Sequence, residues 1–256
     1  MERRRNHCMK SIFALLLMCS ACPLGKSQSY QNEQYDPATI ALPPGYYGYD
    51  PEVFAKGYQD ELSKEQRTRQ KDEFETTAQY QKRLQEADIQ NPFMKKSYAF
   101  AAVPTYIKYD AGTQTFTLDF TPSSDTHNIN FVSVLLKEGA KNLGDYQAEN
   151  AFGATFTVTK SIYSSYQLWL TATEGVGKCT TSVTVPPAEA RTLKPMITAL
   201  VIVKTVQPVV SVDRTITDAT FSEPRENTQE RTTIFGKPLQ IRFYNRTDGR
   251  ILGSCP

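Results

Sequence analysis

The chain has 256 residues, of which 39% are hydrophobic and 22% are charged, with a formal net charge of +2. This length fits one large domain, or one domain with extensions, and the apolar fraction is sufficient for a hydrophobic core. Residues 1–21 hold four basic residues and one acidic residue, so the remaining chain has 25 basic and 26 acidic residues and a net charge of −1. That balance excludes an electrostatic footprint for nucleic acid, and we predict no nucleic-acid partner.

The N-terminus has the pattern of a secretory signal. Residues 1–10 are basic, residues 11–18 (SIFALLLM) are a short apolar run, and small residues follow. The run is far shorter than the roughly 20 residues that span a bilayer, and polar, proline-containing sequence follows it, which argues against a buried core helix. We therefore predict that residues 1–21 are a cleaved signal peptide and that the protein is exported, to the periplasm or the outer membrane.

Two kinds of cleavage fit this leader. Ser20 and Ala21 precede Cys22, and this arrangement resembles the bacterial lipoprotein box, in which the cysteine becomes acylated. Cys19 departs from the box, where an aliphatic residue is usual. Ordinary signal-peptidase cleavage after Ala21 or near Ser27 is the alternative. Acylation of Cys22 implies a membrane anchor, because each buried methylene contributes about 0.8 kcal/mol.

Beyond the leader and its edge, two cysteines remain, Cys179 and Cys255. An even pair in an oxidising compartment favours one disulfide. Its long loop predicts a stabilisation of roughly 4–5 kcal/mol in the chain-entropy model. Two unrelated buried thiols are the alternative.

Residues 22–50 lack apolar periodicity and are rich in Gln, Tyr, Pro and Gly, which predicts a flexible tether. Its tyrosines pack on the chain's own domain, on a partner or on glycan, and we favour the first alternative. They are Tyr30, Tyr35, Tyr46, Tyr47 and Tyr49.

Residues 51–92 are predicted to form a charged helical arm. Asp50-Pro51 is an N-cap followed by proline at the first helical position. Thr76-x-x-Gln79 fits a capping box for a second helix, which Asn91-Pro92 ends. Charges of both signs are interleaved along the arm, which is typical of a solvated helical face or a partner surface.

From Ser97 onward the apolar pattern has a period of two residues, which predicts strands. Asp110–Thr113 and Asp248-Gly249 are turn signals of two hairpins. The Ser/Thr/Asp/Glu-rich segment 213–231 is predicted to be a loop. Short strands separated by turns predict a mainly β domain over 97–256, a sandwich or an open barrel. The strands are predicted at 106–109, 116–120, 129–136, 154–159, 167–173, 180–185, 196–206 and 239–243, with a short helix at 188–193.

Residues 71–84 (KDEFETTAQYQKRL) and 239–252 (LQIRFYNRTDGRIL) resemble segments of exported bacterial proteins of unknown function. In those proteins a helical DEFETTxxYxxR-like stretch precedes a β-rich domain. The resemblance covers about residues 70–255 and implies export and a β-rich domain. It implies no catalytic residue.

Residues that carry common chemistry are sparse. His127, in the polar turn 123–128, is the one histidine outside the leader, so metal sites that need two histidines are excluded. Residues 175–180 (GVGKCT) end like a phosphate-binding loop, but Ala172 stands where the first glycine belongs and Cys179 where Ser or Thr belongs. We predict no nucleotide, no metal and no cofactor.

Two groups of carboxylates stand out. One precedes the second helix, where negative charge stabilises a helix N-terminus by about 0.3–1 kcal/mol per residue. The other lies in the polar segment and has no evident partner in the sequence. The first group is Asp72, Glu73 and Glu75, and the second is Asp213 and Asp218.

Three functions fit these patterns. We favour a non-enzymatic cell-envelope protein or lipoprotein, a β-rich interaction module whose helical arm binds an envelope protein. The second is an exported hydrolase or glycan-active enzyme that uses carboxylates such as Asp213 or Asp218. The third is a soluble periplasmic ligand binder or inhibitor.

Overall fold

The computed structural model describes residues 41–124, 130–171 and 177–256, without the side chains of 65–69 and 88–90. This part of the chain is mainly β with a few short helices, which confirms the predicted fold class. The helices are α1 (Pro51–Arg69), α2 (Thr77–Gln90), α3 (Pro92–Lys95) and α4 (Pro187–Leu193). The strands are β1 (Ser97–Ala102), β2 (Tyr106–Asp110), β3 (Thr115–Phe120), β4 (Ser123–Ser124), β5 (Phe131–Glu149), β6 (Thr155–Thr171), β7 (Cys179–Thr184), β8 (Ile197–Thr217), β9 (Arg225–Asn245) and β10 (Ile251–Cys255).

The described strands form two sheets. The larger has the order β1-β8-β9-β6-β5-β4, with β10 also beside β9, and the smaller has the order β2-β3-β7. β9 pairs with β8 along one edge. Its other edge is shared by β6, which runs parallel to its first half, and β10, which runs antiparallel to its end. The predicted β2–β3 and β9–β10 hairpins are both present.

One hydrophobic core lies between the two sheets. The alternation in β3 turns Phe116 and Leu118 inward, and both side chains are completely buried. From the larger sheet, Leu168, Val201 and Phe243 reach the same core and are equally buried. The two sheets therefore pack as a sandwich.

A disulfide joins the two sheets. The Sγ atoms of Cys179 in β7 and Cys255 in β10 are bonded, with the Cα atoms 5.5 Å apart. This is the pairing that the cysteine count favours. Because the two residues are 76 positions apart in the chain, the bond closes a long loop of the unfolded state.

Only part of the predicted helical arm stands apart from the sheets. Asp50 caps α1, since its Oδ1 accepts hydrogen bonds from the backbone N–H groups of Glu52 and Val53 at 2.8 and 3.2 Å. Phe54 and Tyr58, one turn apart, are buried in the core. The first half of α1 therefore belongs to the domain, whereas most described side chains of α2 face solvent.

The predicted tether joins the domain before it ends at residue 50. Tyr49 packs edge-on against Phe54 and Tyr98, with ring centroids 5.8 and 5.3 Å apart. Tyr46 packs against Tyr244 at 6.3 Å. These two tyrosines thus pack on the chain's own domain, and residues 22–40, with the signal peptide, lie outside the described residues.

The prediction of a loop over 213–231 is wrong. β8 continues to Thr217 and β9 begins at Arg225, so only residues 218–224 connect them. Likewise, the strands predicted at 154–159 and 167–173 belong to one strand, β6. The polar composition suggested a loop because it lacks a buried face, but neighbouring strands supply the backbone hydrogen bonds that an extended polar segment needs.

These long strands project beyond the core. We call their outer parts, residues 138–149, 155–166, 211–217 and 225–231, the β-arm, and the remainder of the two sheets the base. Residues 155–166 alone extend about 40 Å at the rise of a β-strand. Most side chains of the β-arm are partly or fully exposed, which distinguishes it from the base.

Candidate functional site

The carboxylates considered for hydrolysis do not form a pair. Asp213 lies in β8 with 64% of its side chain exposed, and its Oδ2 is 3.8 Å from Nε of Arg231. Asp218 follows the end of β8. Five positions of extended chain place their Cα atoms about 16 Å apart, whereas the catalytic carboxylates of glycosidases lie roughly 5–9.5 Å apart. His127 and Cys22 lie outside the described residues.

The described residues contain no metal centre, and the groove beside Asp213 is small. Among the residues with a described position, no three His, Cys, Asp or Glu side chains gather where they could hold a metal ion. Asp213 lines a groove of about 230 Å³ on the β-arm, smaller than the roughly 300–1,000 Å³ of small-molecule pockets.

Residues 177–180, the described part of the GVGKCT segment, have a structural role. Gly177 has φ +82°, and a Cβ placed there would lie 3.2 Å from both Leu170 and Pro122. Cys179 is in the disulfide. Residues 175 and 176 lie outside the described part of the chain.

The connection between α1 and α2 is built as a tight turn. Asp72 Oδ1 accepts the backbone N–H of Phe74 at 2.8 Å, and Asp72 O accepts that of Glu75 at 3.1 Å. The predicted capping box is present: the N–H of Gln79 donates to Thr76 Oγ1 at 3.2 Å, and the N–H of Thr76 donates to Gln79 Oε1 at 3.0 Å. We call residues 70–83 the helical corner.

An arginine closes the helical corner from the next turn of α2. Nε and Nη2 of Arg83 donate to the two carboxylate oxygens of Glu75 at 2.9 and 2.8 Å. Nη2 also donates to the carbonyl oxygen of Gln70 at 3.1 Å, and the guanidinium lies 5.4 Å from the ring of Tyr80. Bidentate arginine–carboxylate pairs are the strong and directional form of this interaction, so the turn is held in one geometry.

The ion pair shifts both of its members toward the charged state. The hydrogen bond from Arg83 lowers the pKa of Glu75 below its usual value, and a hydrogen bond from the backbone N–H of Asp72 acts in the same direction. The hydrogen bond to Glu75 raises the pKa of Arg83. Glu75 and Arg83 are therefore both charged at neutral pH, and their ion pair is present.

This closure presents one phenyl ring to solvent. Phe74 is 88% exposed and borders an open groove of about 620 Å³, whose other lining residues include Gln79 and Arg83. The two residues before it, Asp72 and Glu73, are exposed as well. We call the Phe74 ring the exposed anchor and these two acidic neighbours the acidic rim.

The acidic residues precede α2, as the sequence predicts, and their effect on the helix N-terminus stays a prediction. The structure adds local roles for two of them, because Asp72 accepts a hydrogen bond within the turn and Glu75 binds Arg83. The exposed anchor was missed altogether. One sequence signal could have indicated this exposed residue: Phe74 is an apolar residue among acidic ones, and it lies outside the helical periodicity.

A second ionic cluster has a structural role. Nζ of Lys137 in β5 lies 2.7 Å from Glu52 Oε2 and 3.2 Å from Asp50 Oδ2. The hydrogen bond to Glu52, followed by that to Asp50, raises the pKa of Lys137. This cluster fastens the start of α1 to the sheet at the point where the β-arm leaves the base.

None of the described helices combines the length and the apolar character needed to cross a bilayer. No protein-family model, curated protein or solved structure matches the chain. The resemblance of residues 71–84 and 239–252 to exported bacterial proteins therefore stays a prediction.

Proposed function

We propose that this chain is a non-enzymatic, exported bacterial envelope protein that binds another protein through its helical corner. The observation that carries the proposal is Phe74, 88% exposed on a turn closed by the Glu75–Arg83 pair. Single exposed apolar residues are common on protein surfaces. Here, however, a capping box, an aspartate turn and a bidentate ion pair all hold the backbone that presents the ring.

The acidic rim specifies the chemistry of the partner. Asp72 and Glu73 immediately precede Phe74 in the chain and are both exposed. A complementary partner has an apolar pocket for the phenyl ring and basic side chains around the pocket. Rim charges act mainly on the rate of association and are screened by salt, so we expect the phenyl ring to supply most of the affinity.

The envelope location rests on different observations. The leader supports export, and the disulfide between Cys179 and Cys255 is consistent with an oxidising compartment. Acylation at Cys22 is part of the proposal and attaches the domain to a membrane through residues 23–40. A helical corner on such a tether searches a limited volume, which raises the effective concentration of a partner in the same membrane.

Site-specific photo-crosslinking in the native host tests the corner. A photoreactive amino acid at Glu73 is expected to form an adduct with a second protein. Adding Phe74→Ala should lower the adduct yield about ten-fold or more, the effect of losing an interfacial anchor. Phe152→Ala is the matched control, because Phe152 is 95% exposed and lies in another part of the chain. An adduct that Phe74→Ala leaves unchanged, or recovery of the monomer alone, contradicts the proposal.

Intact-mass analysis of the mature protein tests the location. We expect a chain that begins at Cys22 and carries acyl groups, with two hydrogen atoms fewer because of the disulfide. A mature protein without acyl groups contradicts the membrane anchor and favours a soluble periplasmic form. A chain that retains residues 1–21 in full contradicts export.

A further inference from the structure

The β-arm has two outer edges, formed by β5 on one side and β8 on the other. β1 pairs with β8 only as far as Lys204, in the base. Beyond that point β8 pairs with β9 alone among the described strands. The backbone N–H and C=O groups on the outer side of residues 210–217 are therefore open to a further strand. We call this side of β8 the open edge.

The opposite edge of the β-arm has features that oppose pairing with another chain. The register of β5 with β6 shifts between Asn142 and Gly144, and a bulge of this kind bends an edge strand. Lys137 and Lys141 also lie along this edge, and lysines on an edge strand oppose the addition of a further strand. We therefore look to β8 rather than β5 for a partner.

The open edge of β8 is regular and rich in residues that favour strands. From Val210 to Thr217 its register with β9 is continuous, and the segment contains neither lysine nor proline. Five of its eight residues are valine, isoleucine or threonine, which fit a pleated strand well. Val212 and Ile216 are 43% and 54% exposed. A long edge with exposed apolar residues is a favourable template for another strand.

The connection that follows β8 leaves the open edge accessible. The ring of Phe221 in this connection packs edge-on against Phe156 of β6, with the centroids 5.5 Å apart. The connection is thus directed toward β6, on the inner side of β8. Residues 214–218 are all exposed.

Two charged residues stand on either side of Ile216. Residues 214–218 have the sequence Arg-Thr-Ile-Thr-Asp, and extended backbone places Arg214, Ile216 and Asp218 on one face. Arg214 lies opposite Glu230 in β9, but the two side chains form no ion pair. Among the residues whose positions are described, neither Arg214 nor Asp218 has an ion-pair partner.

This sequence is complementary to itself in an antiparallel pair. When Ile216 of one copy lies opposite Ile216 of the other, Arg214 of each copy lies opposite Asp218 of the other. Thr215 then lies opposite Thr217. Opposite charges and pairs of β-branched residues stabilise antiparallel strands, whereas like charges directly opposite each other are destabilising. A register centred on Arg214 places two arginines opposite each other, so the charges select the register centred on Ile216.

We propose that two copies of this chain associate through their open edges, in an antiparallel pairing centred on Ile216. The pairing joins two β-arms into one continuous sheet. The same surface is used on both copies, so the assembly closes at two chains. A contact of a few residue pairs is smaller than the roughly 1,200–2,000 Å² of standard interfaces, so the dimer is weak and depends on concentration. The proposal is independent of the helical corner and of the membrane anchor.

Charge reversal tests the proposed pairing. The mature chain is made with Cys22→Ser, so that no acyl chain contributes, and sedimentation velocity should show a monomer–dimer equilibrium. Arg214→Asp and Asp218→Arg, made separately, should each weaken the dimer about ten-fold or more, because like charges then lie opposite each other. An equal mixture of the two variants should form a heterodimer, since opposite charges then meet at both positions. Lys141→Asp, on the other edge of the β-arm, is the matched control and should leave the dimer unchanged.

Single cysteines test the register. In the proposed pair the two Ile216 Cα atoms lie about 4.5–5.5 Å apart, which suits a disulfide. In the same Cys22→Ser chain, Ile216→Cys should therefore give a covalent dimer when copper–phenanthroline is the oxidant. Thr215→Cys should react about ten-fold less or weaker still, because the two Thr215 Cα atoms are offset along the strands and lie about 8 Å apart.

Three results overturn the proposal. The first is a parent chain that stays monomeric at all attainable concentrations. The second is a dimer that Arg214→Asp leaves unchanged or that the mixture of reversed variants fails to restore, because the contact then lies elsewhere. The third is equal cross-linking of Ile216→Cys and Thr215→Cys. Restoration by the mixture also shows that both variants are folded, so loss of the dimer in each alone is not a loss of structure.

Discussion

The base and the β-arm share four long strands, β5, β6, β8 and β9, yet the side chains of these strands differ in burial between the two regions. In the base, Leu168 of β6 is opposite Ile234 of β9, and both side chains are fully buried. Six residues farther out on the same face, Thr228 of β9 lies between Ile162 and Ile216; Thr228 is 2% exposed, whereas Ile216 is 54% exposed. The backbone pairing is continuous, and the burial of the apolar side chains decreases from the inner row to the outer row.

The base and the β-arm are therefore stabilised in different ways. Burial of apolar surface stabilises the base, whereas the β-arm persists because each strand satisfies the backbone groups of its neighbours. The arm ends in an aromatic tip, and the helical corner ends in a single phenyl ring. The base therefore contains most of the buried apolar side chains, and the β-arm and the helical corner carry the exposed Phe152, Phe221 and Phe74.

The largest expected effect concerns the link between the two sheets of the base. Replacing Cys179 and Cys255 by serine together should lower the free energy of unfolding by about 4–5 kcal/mol, because the unfolded chain regains the entropy of a long loop. Urea denaturation of the oxidised parent and the double variant measures it. A reductant should destabilise the parent and leave the variant unaffected. Equal stability of the parent with and without reductant contradicts this prediction.

A pair of matched truncations tests the contrast between base and arm. Leu168→Ala should cost about 2–5 kcal/mol, because it leaves a cavity in a filled core. Ile216→Ala, on the same face of the arm, should change the stability by no more than about 0.5 kcal/mol, because the side chain is already half in water. Chemical denaturation of both variants gives the two values. Similar losses in the two variants indicate that the arm has a packed layer of its own.

The smallest expected effect is a local one, at the helical corner. The pKa of Glu75 is lowered in the folded chain, so its ion pair with Arg83 stabilises the corner above the ordinary glutamate pKa and is lost as the pH falls through the lowered value. NMR titration of the Glu75 carboxyl should show this lowered pKa. In Arg83→Gln the pKa should return toward its ordinary value, and the amide of Phe74 should exchange faster with solvent. An identical titration in both proteins excludes the pair as the closure of the corner.

Short-range signals in the sequence predicted the local structure well. The N-cap at Asp50, the capping box of Thr76 and Gln79, and the turn at Asp248-Gly249 are all present. In each case the decisive hydrogen bonds join residues at most a few positions apart. The alternation in β3 also predicted its buried face correctly, because one face of that strand meets the core.

The β-arm and the exposed anchor were not predictable in the same way. Residues 213–217 and 225–231 carry polar side chains on both faces, so periodicity offers no strand signal, and their extended form depends on pairing with β6 and with each other. Phe74 resembles a core residue by type. It is 88% exposed, because no other element of the described chain packs over the connection between α1 and α2.

By itself, the sequence determined the helix starts, the tight turns, the buried faces of the short strands and the choice of cysteines for the disulfide. These depend on nearby residues or on composition. The tertiary structure decided how far the four long strands extend, that β6 and β10 share one edge of β9, and which phenylalanines face solvent. Such features depend on hydrogen bonds and packing between residues distant in the chain, and these form only when the fold is complete.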